Sequence, residues 1–131
     1  MCMNSIDLVN YWFESADDDY ETMRLLYNNK KNTWCLFIGH LVIEKILKGL
    51  YARNNPENPI APKIHNLILL SQKANLEVPI EIREKIQIIN TFNISARYDD
   101  YKKNFDKKCT EEYTREQVEN IEVVKAWLKN Q

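Results

Sequence analysis

The sequence predicts an all-α fold, a five-helix up-and-down antiparallel bundle, and three observations carry the prediction. Apolar residues recur three and four positions apart in every long segment, the signature of a helix with one buried face. Only two glycines, Gly39 and Gly49, occur in 131 residues, so strands joined by glycine turns are not expected. Asparagine clusters and four prolines divide the chain into pieces of helix length.

The first helix is expected from about residue 5 to residue 27, with Asn4 or Ser5 as its cap. Val9, Phe13, Ala16, Tyr20, Met23 and Tyr27 alternate by fours and threes along it and make its apolar seam. Residues 28–32, Asn-Asn-Lys-Lys-Asn, read as the turn. The second helix runs from about residue 33 to residue 54. It is apolar around most of its circumference, which predicts a central, buried helix. Both glycines lie in it, and a mid-helix glycine costs up to about 1 kcal/mol relative to alanine. Their presence implies close approach of neighbouring elements.

Residues 54–62 contain Pro56, Pro59 and Pro62 and cannot be helical. A short third helix is expected from near His65, carrying Leu67, Ile68, Leu70 and Ala74. Pro79 opens the fourth, which places Ile82, Ile86, Ile89 and Phe92 on one face and continues into Ala96-Arg97-Tyr98. The basic run Lys102-Lys103-Asn104-Phe105-Asp106-Lys107-Lys108 reads as a solvated loop, its acids diluting any nucleic-acid patch. Thr114-Arg115-Glu116-Gln117 has capping-box form and is expected to begin the last helix, with Val118, Ile121, Val124 and Leu128 inward. The predicted core is Val9, Phe13, Tyr20, Met23, Leu36, Ile43, Leu47, Ile86, Ile89, Ile121 and Val124.

Composition narrows the function classes. A hydrophobic content of 44% argues against disorder, and the length fits one domain over residues 1–131. The net charge of −1 supplies no field for a phosphate backbone. Cys2, Cys35 and Cys109 form no close pair, so neither a disulfide framework nor a zinc site is expected. Neither a signal peptide nor a membrane span is visible, and a reduced, cytoplasmic setting fits best. Phosphate-cradling glycine loops are absent. Asp17-Asp18-Asp19 with Glu14 and Glu21 is an acidic stripe on the solvated face. A metal site there is not expected, because Glu-x-x-His on facing helices is missing. No cofactor is implied.

The candidate site is polar. His40, Glu44 and Lys48 stand in a row at i, i+4 and i+8 of the second helix. Glu44 is either an exposed partner of Lys48 or a buried carboxylate held by Arg97 or His65, and Phe37, Leu41, Leu47 and Tyr51 around it favour burial. His65 reads as a capping or packing histidine before a catalytic one. Ala96-Arg97-Tyr98-Asp99 offers a guanidinium that either pairs structurally or holds an anion. His40, Glu44, Lys48, His65, Arg97, Tyr98 and Asp99 together form the expected ligand-binding or polar cluster, with convergence of Glu44, His65 and Arg97.

Three segments together resemble the HEPN family of prokaryotic helical domains. They are His40-Leu41-Val42-Ile43-Glu44-Lys45-Ile46-Leu47-Lys48, Lys63-Ile64-His65-Asn66-Leu67 and Ala96-Arg97-Tyr98-Asp99, and Trp12, Ala16 and Asp19 are similar to the family's first-helix pattern. The resemblance implies a five-helix bundle that often dimerises, and frequent association with a minimal nucleotidyltransferase, as in toxin–antitoxin pairs. It also implies nucleotide or RNA as a ligand class. Family members with metal-independent RNase activity carry Arg and His separated by four to six residues. Here the corresponding positions are Thr33, Trp34 and Cys35 before His40, and Asn58, Pro59 and Ile60 before His65, and none is Arg. Asp99 also stands where the branch's Arg-Tyr-Pro-Asp has proline. The expected function is therefore a non-catalytic HEPN interaction module, partnering a nucleotidyltransferase or shaping a nucleotide or small-substrate site. The alternatives are an atypical metal-independent ribonuclease using Arg97, Tyr98, His65 or Glu44, and a purely structural homodimer.

Overall fold

The structure is a computed structural model that describes the backbone of residues 4–97 and 99–131 and the side chains of residues 4–93 and 102–131. Among the described residues it contains six α-helices and no strand, namely α1 (Ser5–Asn28), α2 (Asn32–Asn54), α3 (Leu67–Lys73), α4 (Ile80–Arg97), α5 (Asp99–Lys108) and α6 (Glu111–Lys129). The all-helical prediction stands, and the count of five does not. No helix among the described residues is long and apolar enough to cross a membrane.

Local chemistry sets the helix starts. The Asn4 side chain accepts from the Asp7 N–H at 2.8 Å, and Asn66 does the same for Leu69 at 3.1 Å. The cap of α6 is Thr110, whose hydroxyl accepts from the Tyr113 N–H at 3.1 Å. Thr114 is buried inside that helix instead of opening it. Glu111 and Glu112 in the first turn favour the earlier start, because carboxylates there complement the helix dipole.

The basic run 102–108 is helix, not loop. Phe105 is its buried anchor and lies 5.5 Å from the Phe92 ring of α4. The Thr33 hydroxyl of α2 donates to the Asp106 carboxylate, which ties α5 to the central helix. Two of its lysines sit over aromatic rings, Lys102 over Trp34 at 4.8 Å and Lys108 over Tyr113 at 5.3 Å. Phe105 thus docks a helix with a highly charged surface once α2 and α4 supply the wall.

α2 is the axis of the molecule and packs against each of the other five helices. Thirteen of its 23 residues are buried, so its near-uniform apolarity is used on all sides. Its glycines mark the tightest approaches. A Cβ at Gly39 would overlap Ile121 Cδ1 of α6, and one at Gly49 would lie 2.5 Å from Phe13 Cε1 of α1. α1 runs antiparallel to α6, with Asp17 meeting Lys129 at 3.5 Å and the Tyr20 hydroxyl donating to Glu122 at 2.9 Å.

Met23, Leu36, Ile43, Leu47, Ile86, Ile89, Ile121 and Val124 are buried as expected. Val9, Phe13 and Tyr20 are only half-buried. The reason is the position of α1 at the rim of the bundle, packed chiefly on α2, so that its seam is covered from one side.

Candidate functional site

Residues four apart on a helix stack on one face, and α2 uses this to align His40, Glu44 and Lys48. All three are nearly sequestered, at 0%, 4% and 8% exposure. A buried carboxylate must find donors or neutralise, and Glu44 finds them on both oxygens. Lys48 Nζ lies 3.2 Å from Oε2, while His65 Nδ1 is 2.9 Å and His40 Nδ1 3.8 Å from Oε1. His65 arrives from the proline segment, immediately before the Asn66 cap of α3. The cap therefore fixes the backbone that delivers the imidazole to Glu44. The His65 side chain is 44% exposed, so the cluster reaches the surface through it.

α1 closes the other side. Lys48 Nζ sits 5.2 Å from the centre of the Trp12 ring, a cation held over a π face. The Trp12 Nε1 atom is buried with no hydrogen-bond partner among the described residues. One residue beyond Glu44, Lys45 turns to α1 as well, pairing with Asp19 at 2.7 Å and donating to Ser15 at 2.8 Å. This corrects the reading of Asp19 as part of a solvated stripe, since its side chain is only 22% exposed. The signal was present in the sequence. Trp12, Ser15 and Asp19 share one helical face at i, i+3 and i+7, opposite the face that carries Glu14, Asp18 and Glu21.

The structure thus brings His40, Glu44, Lys48 and His65 into one cluster and adds Trp12. The side chains of Arg97, Tyr98 and Asp99 lie outside the described residues.

Other chemistries are constrained by what surrounds the remaining groups. Burial pushes the Cys35 thiol up to about 12 and the Cys109 thiol up to about 11. Both remain protonated at neutral pH and are poor nucleophiles. Burial, reinforced by the hydrogen bond to Glu122, likewise raises the Tyr20 hydroxyl. Among the described residues no group of three or more His, Cys, Asp or Glu is arranged to hold a metal ion. The cluster can orient an imidazole with a carboxylate and place a lysine cation beside it.

No curated protein and no solved structure matches the chain. The HEPN domain matches it over residues 9–131, which takes in α2 to α6 and all of α1 but its first turn, and the chain belongs to the HEPN family.

Proposed function

We propose that this HEPN chain, acting as one module over residues 1–131, is a non-catalytic interaction protein of the cytoplasm. Its partners on this reading are a second copy of itself and a minimal nucleotidyltransferase, with a nucleotide or other small substrate held where the two proteins meet. The observation that carries the reading is the state of Glu44. Both of its oxygens are engaged by side chains of the same protein, at 2.9 Å and 3.2 Å. A carboxylate held this way joins α2 to the segment before α3, and at 4% exposure it presents little surface to an incoming ligand. The absence of the Arg/His spacing supports the same view. Metal-free RNA cleavage needs one group to take the 2′-hydroxyl proton and one to protonate the leaving oxygen.

The test is co-expression with a small nucleotidyltransferase encoded beside this chain. Co-elution at fixed stoichiometry is the expected result. Separate elution of the two proteins, each folded, contradicts the proposal.

One observation favours the runner-up, an atypical ribonuclease. The Glu44–His65 pair is a carboxylate-oriented imidazole that reaches the surface, and histidine suits proton transfer near neutral pH. Cleavage of RNA by the purified protein in chelator, lost on His65→Ala, would promote it.

A further inference from the structure

A second set of polar groups gathers well away from Glu44, at the end of the bundle where α1 turns into α2. A cavity of about 250 Å³ opens there, lined by Tyr27, Asn28, Lys30, Asn32, Glu111 and Arg115. The backbone around it is firmly set. Lys30 N–H donates to the Tyr27 carbonyl at 3.1 Å and Lys31 N–H to that of Leu26 at 2.9 Å. The Asn32 amide donates to the Cys109 carbonyl at 3.0 Å, which fastens the turn to the joint between α5 and α6. Lys30 itself is left-handed, with φ 59°, a conformation that glycine would adopt at less cost.

The charges in the cavity are arranged for a carboxylate, and the protein already supplies one. Glu111 Oε1 lies 3.4 Å from Lys30 Nζ, with the two side chains 74% and 79% exposed. Pairs so exposed contribute little and exchange readily. Arg115, one turn further along α6, makes no ion pair among the described residues. A guanidinium presents a planar fork of donors that matches a carboxylate in two parallel hydrogen bonds. We infer that this cavity is a carboxylate-binding site through which an acidic segment of a partner protein docks, Glu111 marking the position the incoming carboxylate takes on Lys30 while Arg115 grips it from α6.

A protein partner fits better than a polyanion. Glu111 and Glu112 occupy the first turn of α6 beside the cavity, and the chain's net charge of −1 gives no attraction for a run of phosphates. Single carboxylates on a flexible segment can take up the two cations without crowding further charge against those acids. The inference rests on the reading of the chain as an interaction module and names the chemistry of one contact.

The test is an NMR titration of the full chain with a blocked Gly-Glu-Gly peptide, which carries a single carboxylate, and in parallel with inorganic phosphate and a short oligouridylate. Saturable shifts confined to the amides of residues 27–32 and 111–115 are expected with the peptide. Lys30→Gly should weaken binding about fivefold or more, a change of about 1 kcal/mol, without disturbing the turn, because its φ suits glycine. Arg115→Gln on the exposed face of α6 should do the same. Glu111→Gln should tighten binding a few-fold, since it removes the internal competitor. The absence of saturable shifts in these segments overturns the inference, as does a Glu111→Gln protein that binds no more tightly. Phosphate or oligouridylate moving the same amides at lower concentration than the peptide also overturns it, in favour of a nucleic acid. Co-elution with a nucleotidyltransferase is read separately. A failed titration with co-elution intact removes this inference alone, and lost co-elution with the titration intact removes only the nucleotidyltransferase as the partner.

Discussion

Glu44 and Glu111 are both glutamates paired with a lysine, and they sit in opposite surroundings. Glu44 is 4% exposed and is held by Lys48, His65 and His40 on α2 and the segment before α3. Glu111 is 74% exposed and meets a single Lys30 that is 79% exposed. Burial removes water as an alternative partner, so each group around Glu44 depends on the others. Exposure keeps water available at Glu111, so its lysine can be given up to another carboxylate. The same residue types thus build a fixed joint in one place and a replaceable contact in the other.

Breaking the buried member should have the largest effect. Glu44→Ala strands the Lys48 cation among apolar neighbours and should lower unfolding stability by about 3–5 kcal/mol, read from urea denaturation. Replacing both partners, Glu44→Leu with Lys48→Met, should recover at least about 1 kcal/mol of that loss, because no charge is left uncompensated. A Glu44→Ala protein as stable as the native one would show that the cluster is solvated.

The packing that encloses the cluster is the next point of attack. Gly49→Ala places a Cβ 2.5 Å from Phe13 Cε1. Alanine gains up to about 1 kcal/mol in helix propensity, yet overpacking costs about 1–3 kcal/mol. A net loss of about 1 kcal/mol is expected in the same denaturation experiment, and a gain would mean that the Phe13 ring moves freely.

Alkaline pH tests the core on the far side of α2. Cys35 and Cys109 are raised by burial to about 12 and about 11. Between the unfolded thiol value of about 8.5 and these values, the folded state holds more protons than the unfolded one. Stability is therefore full below that window and falls as pH rises through it. A melting temperature that declines above pH 9, and declines less in Cys35→Ala, is the expected outcome.

The smallest effect belongs to the exposed pair. A double-mutant cycle on Lys30 and Glu111 should give a coupling of less than about 1 kcal/mol that disappears in high salt. A coupling as large as that at Glu44 would erase the contrast between the two sites.

The two regions also differ in how readily they were read from sequence. α2 was legible because apolar residues surround it, and Glu44 amid Phe37, Leu41, Leu47 and Tyr51 signalled a buried carboxylate. His65 was legible as a partner only as one of several polar groups, since nothing local says which way a loop residue points. α5 was not legible, because four lysines surround Phe105, its buried anchor among the described residues. The start of α6 was misplaced by a second threonine whose Thr-x-x-Gln pattern imitates a cap, while the acids that select Thr110 lie just upstream of it. The Lys30–Glu111 contact joins residues 81 positions apart in sequence, by subtraction of their numbers, and no helical period relates them.

The central claim is that the Glu44 cluster is a joint and not a catalytic centre. The most direct measurement is incubation of the purified protein with mixed single-stranded RNA in the presence of chelator, alongside His65→Ala and Arg97→Ala proteins shown to be folded. The account predicts intact RNA in every sample, because both Glu44 oxygens are engaged and the Arg/His spacing is missing. Cleavage by the native protein that disappears in both variants would contradict it.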